Sequence, residues 1–352
     1  MAGAAILRRV RAAFAALVVA ALLASCAKPP EVHRQEGYVF GTRVDLTVYG
    51  ESAEDSAAAM NEVLSEFDRL HRSYHAWQPS ELTALNESIG RGQVATVSDE
   101  LAGMLKDAAR LSELGDSLFN PALGELIALW GFQADEFVAR LPDPDGIRTV
   151  LDARPRMSDL VIEGNRVSSR NPSVRLDLGG YAKGYALDRA AAILRARGIH
   201  NALINIGGNV MALGKKGDAP WRLGLQHPRK PEPMATLPLY DGEAIGTSGD
   251  YQRYFELDGV RYSHLIDPRT GAPATATQSM TVLVTPRPNA GTLSDAASKA
   301  PFIAGDGWRE YTRRYGIEHA LRVAADGHIE VTRELRARLQ FMEGVGPVTV
   351  VD

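Results

Sequence analysis

Leu176-Asp177-Leu178-Gly179-Gly180-Tyr181-Ala182-Lys183-Gly184-Tyr185 joins a short apolar run to a helix through two adjacent glycines. It reads as a strand ending at Gly179-Gly180, then an alanine- and leucine-rich helix over Gly184–Arg197 closed by Gly198. The strand Ala202-Leu203-Ile204-Asn205-Ile206 follows and runs into Gly207-Gly208. On the N-terminal side, Val44–Tyr49 alternates as a strand does. A helix opens near Ser52–Ser56 and carries Met60, Val63, Leu64, Phe67 and Leu70 at helical spacing; a second spans Asp99–Leu114 and stops at Gly115. A short helix is expected at Gly146–Leu151 and a hairpin about Glu163-Gly164-Asn165. Past Pro228 strands dominate, at Met234–Leu239, Ala244–Thr247, Gln252–Leu257 and Met280–Val284. A helix over Asp295–Ala304 and a last strand at Val348–Val351 complete the pattern. Strands and helices mix without strict alternation, which makes the fold class α+β rather than a doubly wound parallel sheet.

The N-terminus speaks to compartment. Arg8, Arg9 and Arg11 precede an apolar run from Ala12 to Leu23, which breaks at Leu23-Ala24-Ser25-Cys26. A basic start, a short apolar core and small residues before a cut describe a secretory signal, and the run is short of the ~20 residues a bilayer span needs. Cys26 is the only cysteine of 352 residues and sits where a lipobox places its lipidated cysteine. The expected organisation is a lipoprotein signal over 1–25, a tether over 26–36 and one domain over 37–352. That places the protein in the bacterial envelope, lipid-anchored and facing the periplasm. An intrachain disulfide is excluded. The net charge of −4 offers no basic surface for nucleic acid.

Four stretches carry more glycine and polar punctuation than packing requires. Glycines at a strand-to-helix turn, a helix N-terminus and Lys183 together suit an anion, as in a phosphate cradle. The spacing matches neither the P-loop nor G-x-G-x-x-G, and a plain glycine turn is the bland alternative. Ser117-Leu118-Phe119-Asn120-Pro121 leads to Trp130-Gly131-Phe132. Gly246–Tyr251 precedes Tyr262-Ser263-His264-Leu265-Ile266-Asp267-Pro268-Arg269-Thr270-Gly271, where His264 suits proton transfer near neutral pH. There Asp267 and Arg269 either serve His264 or an anion, or simply close a type I turn. Asp295 and Lys299 share a helix face, so Asp295 either reaches a hard cation or sits on a helix dipole.

These motifs, with Phe40-Gly41-Thr42, Trp77–Leu82, Asn86, Ile206-Gly207-Gly208 and Ser248-Gly249-Asp250-Tyr251, resemble the ApbE-type FAD:protein FMN transferases over essentially the whole mature chain. The resemblance implies an ApbE-like, T-fold-like body of mixed sheets with flanking helices. It implies FAD as substrate, held by Phe40, Trp77, Leu118, Phe119, Asn120, Asp177, Lys183 and Ile266. His264 is the residue implicated in transfer. It implies Mg²⁺, bound by the Gly180 carbonyl, by Asp295 and at the position of Lys299. The partner is an acceptor protein flavinylated on a Thr or Ser hydroxyl, with AMP released. Two positions depart from the pattern: Asn120 where many members carry Asp, and Lys299 where the family often has a metal-binding Thr. Two other functions are kept beside transfer, an FAD-binding lipoprotein and a Mg²⁺-dependent FAD pyrophosphatase.

The remaining signals are read as structural. His71 and His75 are four apart, but no third zinc ligand accompanies them. Trp308 with Tyr311 reads as core, and Arg333–Arg338 as a solvated helix face.

Overall fold

The β-rich runs of the chain assemble into a nine-stranded sheet. In the computed structural model, which describes residues 31–134 and 136–352, its strands are β1 (Val32–Val39), β2 (Thr42–Tyr49), β3 (Ala202–Ile206), β4 (Asn209–Leu213) and β5 (Ala244–Gly249), then β6 (Thr277–Val284), β7 (His319–Ala324), β8 (Ile329–Thr332) and β9 (Val348–Val351). Their order in the sheet is their order in the chain. Every neighbouring pair is antiparallel except the last, where β9 lies parallel to β8.

Both faces of the sheet's centre are covered, so all residues of β4 and β6 are buried, the polar Asn209, Thr277, Gln278, Ser279 and Thr281 included. On one face lie α1 (Ala53–Ser73), α2 (Asp99–Leu114), α3 (Ala182–Ala196), α4 (Ala290–Ala296) and α5 (Lys299–Ala304), within the largest apolar cluster. A three-stranded sheet of Trp221–Gln226, Pro233–Leu239 and Gln340–Phe341 closes the other face over Val210, Ile245 and Leu283. α1 forms because Ser52 caps it, accepting from the Asp55 N–H at 3.0 Å, and because Met60, Val63, Phe67 and Leu70 fall on one buried stripe. Fully burying Phe67 stabilises by ~1.5–3 kcal/mol.

Close approaches fix where the helices sit. A Cβ on Gly184 would fall 2.3 Å from the Gly291 carbonyl oxygen, so α3 and α4 touch backbone to backbone there. A Cβ on Gly246 would fall 2.0 Å from the Ser294 carbonyl oxygen, so α4 rests directly on β5. Asp188 on α3 accepts from the Gly291 and Thr292 N–H groups at 2.9 and 2.7 Å and so caps α4.

Several expectations need correcting. The expected tether over 26–36 overlaps β1, which begins at Val32, so the body starts before residue 37. Cys26 and the apolar leader lie outside the described residues. The run before Gly179 is not a strand; it makes one isolated parallel bridge, Arg175 with Leu123. The helix expected over Asp295–Ala304 is two helices. Pro301 has no N–H for the Ala297 carbonyl, and the Ser298 hydroxyl and Lys299 ammonium take the Asp295 carbonyl at 2.8 and 2.7 Å. Arg338, read as solvated, forms a mostly buried 2.7 Å ion pair with Glu243. Trp308 is core, as expected.

Candidate active site

Two loops far apart in sequence lie side by side at the centre of the site. Asp177 donates its N–H to the Pro121 carbonyl at 2.8 Å, Arg175 to Ala122 at 3.2 Å, and Gly124 to Arg175 at 2.7 Å. Gly124 is needed there, since a Cβ would meet the Arg175 carbonyl oxygen at 2.7 Å. Asn86 works like a strand partner, its amide oxygen accepting from the Leu176 N–H at 2.7 Å and its amide nitrogen donating to the Leu176 carbonyl at 2.9 Å. Asn120 lines the cavity, and its side chain donates to the Pro155 carbonyl at 3.0 Å and accepts from the Ala122 N–H at 3.2 Å.

From Asp177 the chain turns into α3. The Asp177 carboxylate accepts from the Gly179 N–H at 2.8 Å, and Lys183 folds back to donate to the Gly179 carbonyl at 3.2 Å. Tyr181, the residue before α3, offers no side-chain cap. The Gly184 N–H instead meets Asp295 Oδ2 at 2.9 Å, and Asp295 Oδ1 takes the Lys299 ammonium. Burial disfavours the Asp295 carboxylate, but the charges of Lys183 and Lys299 outweigh it and hold its pKa well below the usual range. Burial likewise pulls Lys299 below the ordinary lysine value, with Asp295 opposing.

His264 faces this charged end. Its backbone N–H and its Nδ1 both lie 3.1 Å from the Arg253 carbonyl oxygen. A carbonyl only accepts, so Nδ1 carries the proton and Nε2 is left with its lone pair. Burial, with the charges of Arg253 and Lys183, pulls the His264 pKa down to about 3. The imidazole is therefore neutral at ordinary pH, with an unprotonated Nε2. The Arg253 guanidinium is anchored on the Phe132 carbonyl at 2.9 Å and stacks over Phe137. Asp267 and Arg269 pair with each other at 2.7 Å and close the turn in which the Gly271 N–H meets the Asp267 carbonyl at 2.8 Å, so for these two the turn reading holds.

The opposite wall is aromatic. Phe40 and Gly41 form the two-residue turn between β1 and β2 with φ of 57° and 66°. Both central residues at positive φ make a type I′ turn, in which a bulky Phe is disfavoured and Asn-Gly is preferred. Its ring stands 5.7 Å from His71, edge to face; His71 is 4.8 Å from His75, and His75 4.6 Å from Trp77. His71 and His75 thus belong to a ring stack, and His75 Nδ1 accepts from the Gln78 N–H at 3.1 Å.

All of this encloses one cavity of about 700 Å³, within the ~300–1,000 Å³ usual for a small-molecule site. Its wall includes Phe40, Trp77, Leu118, Phe119, Asn120, Asp177, Gly180, Lys183, His264, Ile266 and Lys299. Asp295 is not in the wall: it is fully buried, and Lys299, four residues on, lines the cavity. Gln252 and Arg253, which carry no local signal, also line the cavity, as do Ser248 of the Gly246–Tyr251 stretch and His71, which was expected to be structural. The Ser248 hydroxyl lies 2.7 Å from that of Ser298. A second cleft of about 760 Å³ lies beyond Trp77, where the charged Glu125 and Arg175 neutralise each other at 2.6 Å.

The implied Mg²⁺ site is not supported by these donors. Gly180, Asp295 and Lys299 do come together, but both Asp295 carboxylate oxygens are taken, one by a cation. An ammonium has donors and no lone pair for a metal. Among the described residues no cluster of three or more His, Cys, Asp or Glu side chains is arranged to hold an ion. The residues present do not fit a divalent cation.

Comparison with known proteins matches residues 40–321 to the ApbE family. A protein named FAD:protein FMN transferase from Rhodobacter capsulatus is 41% identical over 318 residues, which cover 90% of this chain and 60% of that protein's own length. One of the same name from Vibrio cholerae is 35% identical over 267 residues, 73% of this chain and 78% of that protein. Among solved structures, an ApbE protein from Thermotoga maritima superposes with a TM-score of 0.79 at 32% identity, covering 88% of this chain and 99% of that one.

Proposed function

The chain belongs to the ApbE family, and from that premise we propose that it transfers FMN from FAD to a hydroxyl of an acceptor protein and releases AMP. The observation that carries the proposal is a single cavity in which a neutral His264 faces the Lys183 end of α3. That end brings the Lys183 and Lys299 ammonium groups and the Gly180 turn to the cavity wall, a setting that favours phosphate.

Phe40 and Trp77 would flank the flavin rings, and the Leu118–Asn120 backbone would hold their polar edge. Lys183 and the Gly179-Gly180 turn would take the diphosphate, with Asp177 and Ile266 shaping the wall between. Nε2 of His264 takes the proton of an incoming Thr or Ser hydroxyl as its oxygen bonds to the FMN-side phosphorus. The bond from that phosphorus to the bridging oxygen breaks, and the oxygen leaves with AMP. Catalysis is then mainly positioning and charge stabilisation. Incubation with FAD and an acceptor domain should give flavin fluorescence that stays with the acceptor on a denaturing gel, and AMP in equal amount. FMN and AMP without labelled acceptor would identify a hydrolase instead, and intact bound FAD a carrier.

The envelope location is proposed on the leader and on Cys26. Cys26→Ser should leave the body folded and move the protein to the soluble fraction. Retention in carbonate-washed membranes would sink the lipid-anchor reading.

A further inference from the structure

We propose that the Lys299 ammonium is the resident cation of the phosphate site and stands in for a divalent metal ion, so that transfer by this chain requires no added metal. The proposal rests on the transferase reading above and on four observations about Lys299.

The first is where its charge sits. Nζ donates to Asp295 Oδ1, to the Asp295 carbonyl at 2.7 Å and toward the Ser298 hydroxyl at 3.4 Å, so a cation already occupies the oxygen cluster at the start of α5. The second is the path of its stem. A Cβ built on Gly180 would lie 3.3 Å from Lys299 Cε and 3.4 Å from Phe119, so the lysine tip packs on the glycine turn that precedes α3. The third is access. Lys299 lines the cavity whereas Asp295 is fully buried, so an ion arriving from the cavity meets the ammonium before the carboxylate. The fourth is charge. The carboxylate of Asp295 is matched by Lys299, and Lys183 adds a second positive charge close enough to act on both. A divalent ion inserted there would face two like charges, which is unfavourable at short range in a partly desolvated site. The two lysines supply the positive charge that a diphosphate needs, and Asp295 serves to aim Lys299 rather than to ligate.

The chemistry balances without a metal. The acceptor hydroxyl gives its proton to His264 Nε2, its oxygen bonds to the FMN-side phosphorus, and the bond from that phosphorus to the bridging oxygen breaks. Lys183 and Lys299 offset the charge that grows on the departing AMP phosphate, and neither gives up a proton. His264 then returns its proton to solvent.

The test compares transfer by the wild-type protein in millimolar EDTA and in millimolar Mg²⁺, with the same comparison for Lys299→Thr. Wild type should label the acceptor at the same rate in both. Lys299→Thr loses the ammonium and gains an oxygen ligand, so its transfer should fall by roughly 10²–10³-fold in EDTA, the cost of removing one transition-state donor, and recover with Mg²⁺. A parallel titration with Mn²⁺, read by electron paramagnetic resonance on the FAD-loaded protein, should find no stoichiometric site in wild type and one in the variant. Wild-type transfer that is lost in EDTA and restored by Mg²⁺, or one tight Mn²⁺ per wild-type chain, overturns the proposal. Both wild-type arms decide the matter even if the variant misfolds. Absence of transfer under every condition would count against the transferase reading, while the Mn²⁺ titration would still decide this one.

Discussion

His264→Ala lowers acceptor labelling by roughly 10²–10⁴-fold, the usual contribution of a general base, while FAD still binds. The separation is expected because the residues proposed to hold FAD come from Phe40–Trp77, Leu118–Asn120 and Asp177–Lys183, and none leans on the imidazole for its position. Equilibrium binding by flavin fluorescence and single-turnover labelling measure the two properties apart. Labelling within a few-fold of wild type would remove His264 from the proton transfer. The same residue has a second signature. Its pKa lies at about 3 in the fold, below the ordinary ~6.5, so beneath pH 6.5 the unfolded chain binds a proton that the folded chain does not. Stability at this position is therefore complete above pH 6.5 and declines as pH falls toward 3. His264→Gln removes that titration, so its unfolding midpoint in urea should move less between pH 7 and pH 5 than that of wild type.

Gly246→Ala is expected to be among the most damaging single-methyl additions in the chain. The new Cβ would lie 2.0 Å from the Ser294 carbonyl oxygen and 3.0 Å from the Asp295 N–H nitrogen, and both are backbone atoms that no rotamer change can move. α4 would have to lift from β5. Overpacking of this kind costs about 1–3 kcal/mol, and the upper end applies where backbone must shift. The displacement would carry Asp295 and Lys299 with it, so labelling should fall as well as the melting temperature. An alanine variant with unchanged stability and activity would show that α4 does not depend on this contact.

The contrast between what could and could not be read from sequence follows from range and periodicity. α2 and its Gly115 stop were legible because cap, stripe and terminator all lie within one local run. β1 was not, because the positions it turns inward include His33, Gln35 and Gly37, which show no apolar alternation. The break between α4 and α5 was legible in principle from Pro301, yet Asp295–Ala304 was expected as one helix. At the site, glycine and charge picked out the right stretches but not the pairings between them. Nothing local in Asn86 says that it will bond Leu176, ninety residues on, and nothing in Asp188 says that it will cap α4. The fate of Asp295 was the least legible point. A carboxylate four residues before a lysine suits a ligand or an ion pair equally well, and burial decided between them.

The Lys299–Asp295 pair also bears on fidelity of metallation. An open oxygen site is filled according to supply and to the Irving–Williams order, so copper or zinc can displace the intended ion wherever either is abundant. A cation tethered by four methylenes to the backbone is not subject to exchange, and no chelator or competing metal can strip it. A chain built this way trades adjustable charge density for a site whose composition is fixed at synthesis.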